Sequence, residues 1–320
     1  MARGRTPIHH VILCLFACLL PLALAQAQED RFTEGVRQYQ DGQYQEAAKA
    51  FEEATTANPD FESAWYYLGV CRLKLLDYEG ALAAFQKAVD LAPARPGTRL
   101  MVGQIYESQH VYDEAVKVYQ DELRYRRGKD ILPVLNALGR ASYYAGQYPE
   151  AIATLEKVVT EDDKYVEAFY TLGLAQAARK NDTQAVKYFD TAGTTLEEWR
   201  RLVTRLARLR TLQAKGGITP QQEREIGSVD EQLAQDYGRA QDFGTELGLW
   251  PALNKARGNS LVALKEWAAA RNSYRKALDK EQLGSPSDAD AYTLMSLGLL
   301  ALAKSVFMVD SLLYQMIDLL

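Results

Sequence analysis

Thiols, imidazoles and basic stretches are scarce in this chain, and each scarcity closes off a class of function. The 320 residues hold three cysteines and three histidines, and four of these six fall within residues 1–25, so that the rest of the chain has Cys71 and His110 alone, too few for a thiolate or imidazole metal centre. A formal charge of −5 and a pI near 5.5 argue against a duplex-DNA binder, which neutralises phosphates with a basic stripe. The glycines fit neither GxGxxG nor GxxxxGK(S/T), the spacings that cradle phosphates. One apolar run stands out, Val11 to Leu24, interrupted by Pro21. At about 14 residues it falls short of the ~20 that a spanning helix needs.

That run follows Arg3, Arg5 and His9-His10 and precedes small residues at Ala23, Ala25 and Ala27, the arrangement of a cleavable secretory signal. Residues 1–25 are therefore expected to be an address for export, with the periplasm as destination. Two alternatives stay open. One is an uncleaved membrane anchor. The other is a lipoprotein signal in which Leu15-Phe16-Ala17-Cys18 serves as a loose lipobox, with Phe16 a poor fit. Cleavage after Ala25 would remove Cys14 and Cys18 and leave Cys71 and His110, so no intramolecular disulfide would form and stability would rest on packing. It would also take the basic side chains from 37 to 35 against 42 acidic ones, a net charge of −7.

With 48% hydrophobic and 25% charged residues the rest reads as ordinary folded protein, and its dominant signal is self-similarity. Gly35, Ala47 and Ala54 recur 34 residues on as Gly69, Ala81 and Ala88; Gly103 and Ala115 follow after 34, Gly139 and Ala151 after 36, and Gly173, Ala185 and Ala192 after 34. Within a repeat, Trp65, Leu68 and Cys71 and then Leu82, Phe85 and Val89 fall at helical spacing. Two amphipathic helices per repeat follow. The glycine of the first and the alanine of the second lack bulk where the two helices cross. Asp41-Gly42, Ala145-Gly146 and Asn181-Asp182 stand where a helix must stop, and Pro149 where one begins. Asn58-Pro59 and Ala92-Pro93 end second helices, since the residue before proline is pushed out of helical geometry.

Trp65, Leu68-Gly69, Tyr78, Ala81, Phe85, Ala88 and Pro93, together with the period, resemble the tetratricopeptide repeat. The resemblance implies an all-α fold, a right-handed α-solenoid of helix-turn-helix repeats. Five repeats are expected, at about 28–61, 62–95, 96–129, 132–165 and 166–199. The first lacks the leading Trp and Leu, as a capping copy does. The third carries Glu122 in place of the last alanine and Arg127 in place of the proline, and Arg126-Arg127-Gly128-Lys129 reads as a slightly longer solvated loop.

The rhythm breaks at 199, and 200–250 is expected to be a helical insertion. Trp199 to Lys215 sets Leu202, Leu206, Leu209 and Leu212 against Arg200, Arg201, Arg205, Arg208 and Arg210, a basic amphipathic helix stopped by Gly216-Gly217. Such a helix either meets an anionic membrane surface or acidic partner, or covers the open end of repeat five. Thr219-Pro220-Gln221-Gln222 has the form of a fresh helix start. Residues 251–320 then hold one complete repeat, with Gly258, Trp267, Ala270, Tyr274 and Ala277, and a degenerate one that begins with Leu294, Leu297 and Gly298 and ends in a packed helix over about 305–320, interrupted by Lys304 and Asp310.

No catalytic constellation emerges, and neither a cofactor nor a metal is expected. Cys71 falls on a core-facing position, where an inert thiol is expected, and His110 falls in an interhelix turn. Lys255, Gly258 and Asn259 resemble the start of the carboxylate clamp of tetratricopeptide co-chaperones, but Ser296 and Leu299 stand where its second half should be. What the resemblance implies is a concave groove lined by first helices that binds a protein or peptide. Mapped here, that groove is Tyr39, Tyr66, Val70, Leu73, Gln104, Glu107, Asn136, Arg140, Tyr143 and Tyr170. Several of these tyrosines could equally pack between repeats. The functional expectation is an exported scaffold in envelope assembly, secretion or polysaccharide export, the alternative being a membrane-anchored accessory subunit. The oligomeric state is not legible.

Overall fold

The computed structural model describes residues 31–237 and 249–278. The expected signal over 1–25, the repeat begun by Leu294, Leu297 and Gly298, and the helix expected over 305–320 lie outside the described residues. Regular structure among the described residues is helical throughout. In chain order the helices are α1 (31–40), α2 (Tyr44–Ala57), α3 (Glu62–Lys74), α4 (Tyr78–Leu91), α5 (Thr98–Ser108), α6 (Tyr112–Leu123), α7 (Leu132–Tyr144), α8 (Tyr148–Glu161), α9 (Val166–Ala178), α10 (Asp182–Ala214), α11 (Pro220–Tyr237), α12 (Trp250–Ala263) and α13 (Trp267–Leu278). A short 3-10 turn, Gly128–Ile131, precedes α7 where the longer loop was expected. Hairpins α1/α2, α3/α4, α5/α6, α7/α8, α9/α10 and α12/α13 make an α-solenoid whose described residues fall into two compact units, divided between Val134 and Leu135.

The glycine period is a packing requirement with a specific partner. A Cβ on the first-helix glycine would lie 2.8 Å from Phe51 at Gly35, 2.7 Å from Phe85 at Gly69, 2.2 Å from Tyr119 at Gly103 and 2.4 Å from Leu155 at Gly139. It would lie 2.4 Å from Phe189 at Gly173 and 2.4 Å from Tyr274 at Gly258. Each of these partners on the second helix is at most 1% exposed. The ring or branched side chain thus lies flat on bare backbone, and each hairpin closes at a distance that only glycine allows. Where the partner is tyrosine, its buried hydroxyl needs an acceptor. Tyr119 donates to Glu107 at 2.7 Å and Tyr274 to Asn259 at 2.9 Å.

The turns repeat as closely as the crossings. In each hairpin one residue after the first helix takes left-handed geometry: Gly42, Leu76, His110, Gly146, Lys180 and Lys265, with φ between 60° and 77°. The following N–H reaches back to a carbonyl five residues earlier, as in Gln43 to Gln38 at 2.8 Å and Asp77 to Arg72 at 2.9 Å, while the left-handed residue's own N–H bonds three residues back. This is the Schellman stop, which satisfies the orphan carbonyls of a helix end. The second helices end as the prolines foretell. Asn58 and Ala92 leave helical geometry at φ −139° and −135°.

Helix α10 departs from the sequence reading. It runs unbroken for 33 residues, so the basic segment from Trp199 to Lys215 continues the fifth hairpin's second helix and is not a separate element. No glycine or proline lies between Thr194 and Ala214, and the helix stops where Gly216 takes φ 70°. Helix α11 starts with the reciprocal capping box read from Thr219 and Gln222: the Thr219 N–H donates to Gln222 Oε1 at 2.9 Å, and the Gln222 N–H to Thr219 Oγ1 at 3.3 Å. The α10 extension packs on α11, and Leu206, Leu209 and Val229 are buried. Arg205 pairs with Glu225, and Arg210 with Asp230 at 2.7 Å. The end of the fifth hairpin is covered by α12, not by the basic segment. Trp250 and Leu253 join Val166, Phe189, Leu196 and Trp199 in one core.

Candidate functional site

In the first unit, α1, α3 and α5 carry Tyr39, Tyr66, Val70, Leu73, Gln104 and Glu107, all half-buried. Tyr39 lies against Tyr44 and Tyr67, with ring centroids at 5.6 and 6.0 Å. Burial, helped by its neighbours Tyr44 and Cys71, pushes its hydroxyl pKa up. Tyr66 sits edge-on to Tyr67 at 5.5 Å, and the Arg95 guanidinium stands 4.2 Å from its ring centre. Arg95 also pairs with Glu62. Val70, Leu73 and Tyr66 pack on the Ala81, Phe85, Val102 and Ile105 cluster. Glu107 is the acceptor for Tyr119, so part of its role is inside the hairpin.

In the second unit, α7 and α9 carry Asn136, Arg140, Tyr143 and Tyr170. The structure brings Asn136 and Arg140 together on Glu167 of α9: Asn136 Nδ2 donates at 2.9 Å and Arg140 forms an ion pair. Asn136 is 3% exposed, and its Oδ1 has no hydrogen-bond partner among the described residues. Tyr143 stands 5.1 Å from Tyr144 and 5.9 Å from Tyr148, and Tyr144 is 52% exposed. Burial first, then Tyr144 and Tyr148, raises the Tyr143 pKa; burial, then Tyr144 and Tyr143, pushes Tyr170 up to about 12. These hydroxyls therefore stay protonated at physiological pH, rigid rings with a donor at the tip. Glu167, Tyr144 and Tyr148 escaped the sequence reading. Glu167 lies 31 residues from Asn136, a separation that no local pattern flags.

Other singled-out residues have packing or turn roles. Cys71 is fully buried, and burial pushes its thiol up to about 12. His110 is exposed, left-handed, and bonded to the Tyr112 hydroxyl at 2.7 Å. Asn259 of the apparent clamp motif takes the Tyr274 hydroxyl. The basic loop is partly anchored: Arg126 Nε donates to Glu122 at 2.8 Å, and Glu122, 0% exposed, also accepts the Gly97 N–H at 2.7 Å. The alanine lost from the repeat pattern at 122 is thus exchanged for a buried carboxylate that ties α6 to the start of α5. Among the described residues no helix is long and apolar enough to cross a membrane.

The sequence matches family models described as "Tetratricopeptide repeat" over residues 32–96, 98–131 and 136–193. It is 32% identical over 74 residues to the heat-shock protein cognate co-chaperone sgt12 of Aspergillus fumigatus, which is 23% of this chain and 21% of that protein. It is 26% identical over 191 residues to anaphase-promoting complex subunit 6 of Arabidopsis thaliana, 57% of this chain and 34% of the relative. The match therefore spans only about a fifth and a third of those two relatives. Among solved structures, MamA from Desulfovibrio magneticus RS-1 is similar at TM-score 0.51 and 18% identity, covering 54% of this chain and 96% of that one. A tetratricopeptide repeat protein from Parabacteroides merdae is similar at TM-score 0.51 and 17% identity, covering 86% and 99%. At such identities the likeness speaks for the fold alone.

Proposed function

Because the chain belongs to the tetratricopeptide-repeat family, we propose that it is an exported, non-catalytic adaptor that holds a partner polypeptide along its first helices. A scaffolding role in protein interaction follows from the family. The finer reading rests on one observation: the first helices of both units present half-buried tyrosines whose rings are fixed by neighbours, Tyr39 and Tyr66 in one and Tyr143 and Tyr170 in the other. Rings already held in place lose little entropy on contact, and tyrosine offers apolar area and a hydroxyl together. Export rests on the basic, apolar and small-residue order of residues 1–27, and envelope assembly, secretion or polysaccharide export is the setting it suggests.

The reading is tested with Tyr66→Ala and Tyr143→Ala combined. The double variant should keep its helical circular dichroism and lose the partner that the unaltered chain enriches from envelope extract. Equal enrichment by both would remove the tyrosines from the account. N-terminal sequencing of the mature protein tests export: a start at Gln26 or Gln28 supports a free adaptor, whereas a lipidated Cys18 or a retained Met1 would make it an anchored subunit.

A further inference from the structure

The six glycines in phase with the repeat are forced by the side chains they meet, but Gly193 is not. It lies inside α10, and a Cβ there would meet nothing nearer than Leu253 Cδ2 at 3.5 Å, an ordinary contact. A glycine in a helix interior weakens the helix relative to alanine, so packing gives no reason for it. Its surroundings do. Gly193 lines a crevice of about 320 Å³ between α10, α12 and α13, at the lower end of the range for small-ligand sites. Thr194 of α10, Asn272 of α13 and Asn254 of α12, the last 3% exposed, line it too.

Two ion pairs close the ends of this crevice. At one end Arg257 Nε meets Asp190 at 2.5 Å, with Arg257 Nη1 donating to Ser273 at 2.5 Å; at the other Lys276 Nζ meets Glu197 at 2.7 Å. Asp190 and Glu197 are seven residues apart on one helix, about 10.5 Å at 1.5 Å per residue. Three residues of extended chain span about 10 Å. Arg257 Nη2 takes part in neither of its two bonds, and a guanidinium suits a carboxylate as a half-buried glutamate suits an ammonium.

We propose that this crevice is a second binding site, separate from the surface that carries Tyr39, Tyr66, Tyr143 and Tyr170, and that it takes a free peptide of about three residues. The peptide's carboxylate lies on Arg257 and its ammonium on Glu197, and its backbone amides meet Thr194, Asn254 and Asn272. Gly193 keeps the channel open at the middle residue.

The test is titration calorimetry of the full chain with tri-alanine and with N-acetyl-tri-alanine amide. Tri-alanine should bind saturably and the blocked peptide at least roughly tenfold more weakly, since charge-assisted ends carry the affinity. Gly193→Leu should abolish binding with circular dichroism unchanged. Gly193→Ala should weaken binding while raising the melting temperature, a combination that a purely structural glycine would not give. Glu197→Gln should weaken tri-alanine roughly tenfold. The Tyr66→Ala, Tyr143→Ala variant should bind tri-alanine normally, so failure of the first-helix reading would leave this one standing. Absence of saturable binding, equal binding of the blocked peptide, or unchanged affinity in both Gly193→Ala and Glu197→Gln would overturn the proposal.

Discussion

Gly173→Ala and Gly193→Ala are the same chemical change in two helices of one unit, and the structure assigns them opposite signs. At Gly173 the new methyl would lie 2.4, 2.6 and 2.7 Å from three atoms of the Phe189 ring, where carbon atoms prefer 3.5–4.0 Å. The ring must retreat by about 1 Å, yet it is 0% exposed and shares a core with Val166, Leu196, Trp199, Trp250 and Leu253. Overpacking of that kind costs about 1–3 kcal/mol, offset by roughly 0.5–1 kcal/mol for replacing a helical glycine, a net loss of about 1–2 kcal/mol. At Gly193 only the gain remains, about 0.5–1 kcal/mol. For a domain of this size each kcal/mol moves the melting temperature by about 2–4 °C. Thermal and urea unfolding followed by far-ultraviolet circular dichroism should therefore show Gly173→Ala falling by about 2–8 °C and Gly193→Ala rising by about 1–4 °C. Shifts in the same direction would refute the assignment of Gly173 to a forced crossing and Gly193 to open space.

Leu76→Gly should stabilise the chain by about 1 kcal/mol, because Leu76 sits at φ 62° with 70% of its surface exposed, so left-handed strain is relieved and little contact is lost; an unchanged or lower urea midpoint would contradict this. Glu122→Ala should cost about 2–3 kcal/mol by stranding the Arg126 guanidinium and the Gly97 N–H, with Glu122→Gln milder, and urea unfolding of the two variants checks the order. The Tyr170 and Tyr274 hydroxyls are pushed from 10.0 up to about 12, chiefly by burial. The unfolded chain thus releases these protons first, and stability that is full below pH 10 falls between pH 10 and about 12. Tyrosinate absorbance should show a late-titrating class in the native protein that shrinks in Tyr170→Phe and again when Tyr274→Phe is added. Cys71 should resist a thiol reagent at neutral pH until the chain is unfolded, since its thiol is buried and held at about 12.

The turns show why some of the architecture was readable and some was not. Gly42 and Gly146 announced their stops because glycine is the residue that a left-handed position favours, but Leu76, His110, Lys180 and Lys265 adopt the same geometry without that signal. There the two back-bonds of the Schellman stop, together with helices already fixed on either side, outweigh a local cost of about 1–2 kcal/mol. Local preference and tertiary demand disagree, and only the period reveals which wins. The same tension hid the length of α10. A broken repeat rhythm at 199 reads as an interruption of the chain, whereas helix continuity depends on the absence of a breaker, and there is none between Trp199 and Gly216. Rhythm reports where neighbouring hairpins press on a helix; it says nothing of where the helix ends.

The candidate sites divide along the same line. Asn136, Arg140, Tyr143 and Tyr170 could be named because the repeat assigns a face to each position on a first helix. Glu167, the partner of Asn136 and Arg140, could not, because it lies 31 and 27 residues from them and the contact depends on how the hairpins stack. Gly193 is the opposite case, a residue whose interest lies in being out of phase. Six glycines recur with the repeat and each is explained by the side chain sixteen residues on. The one inside α10 meets no such side chain and lines a crevice together with polar groups and ion pairs. A strong repeat is therefore informative twice, through what it enforces and through the residue that it fails to explain.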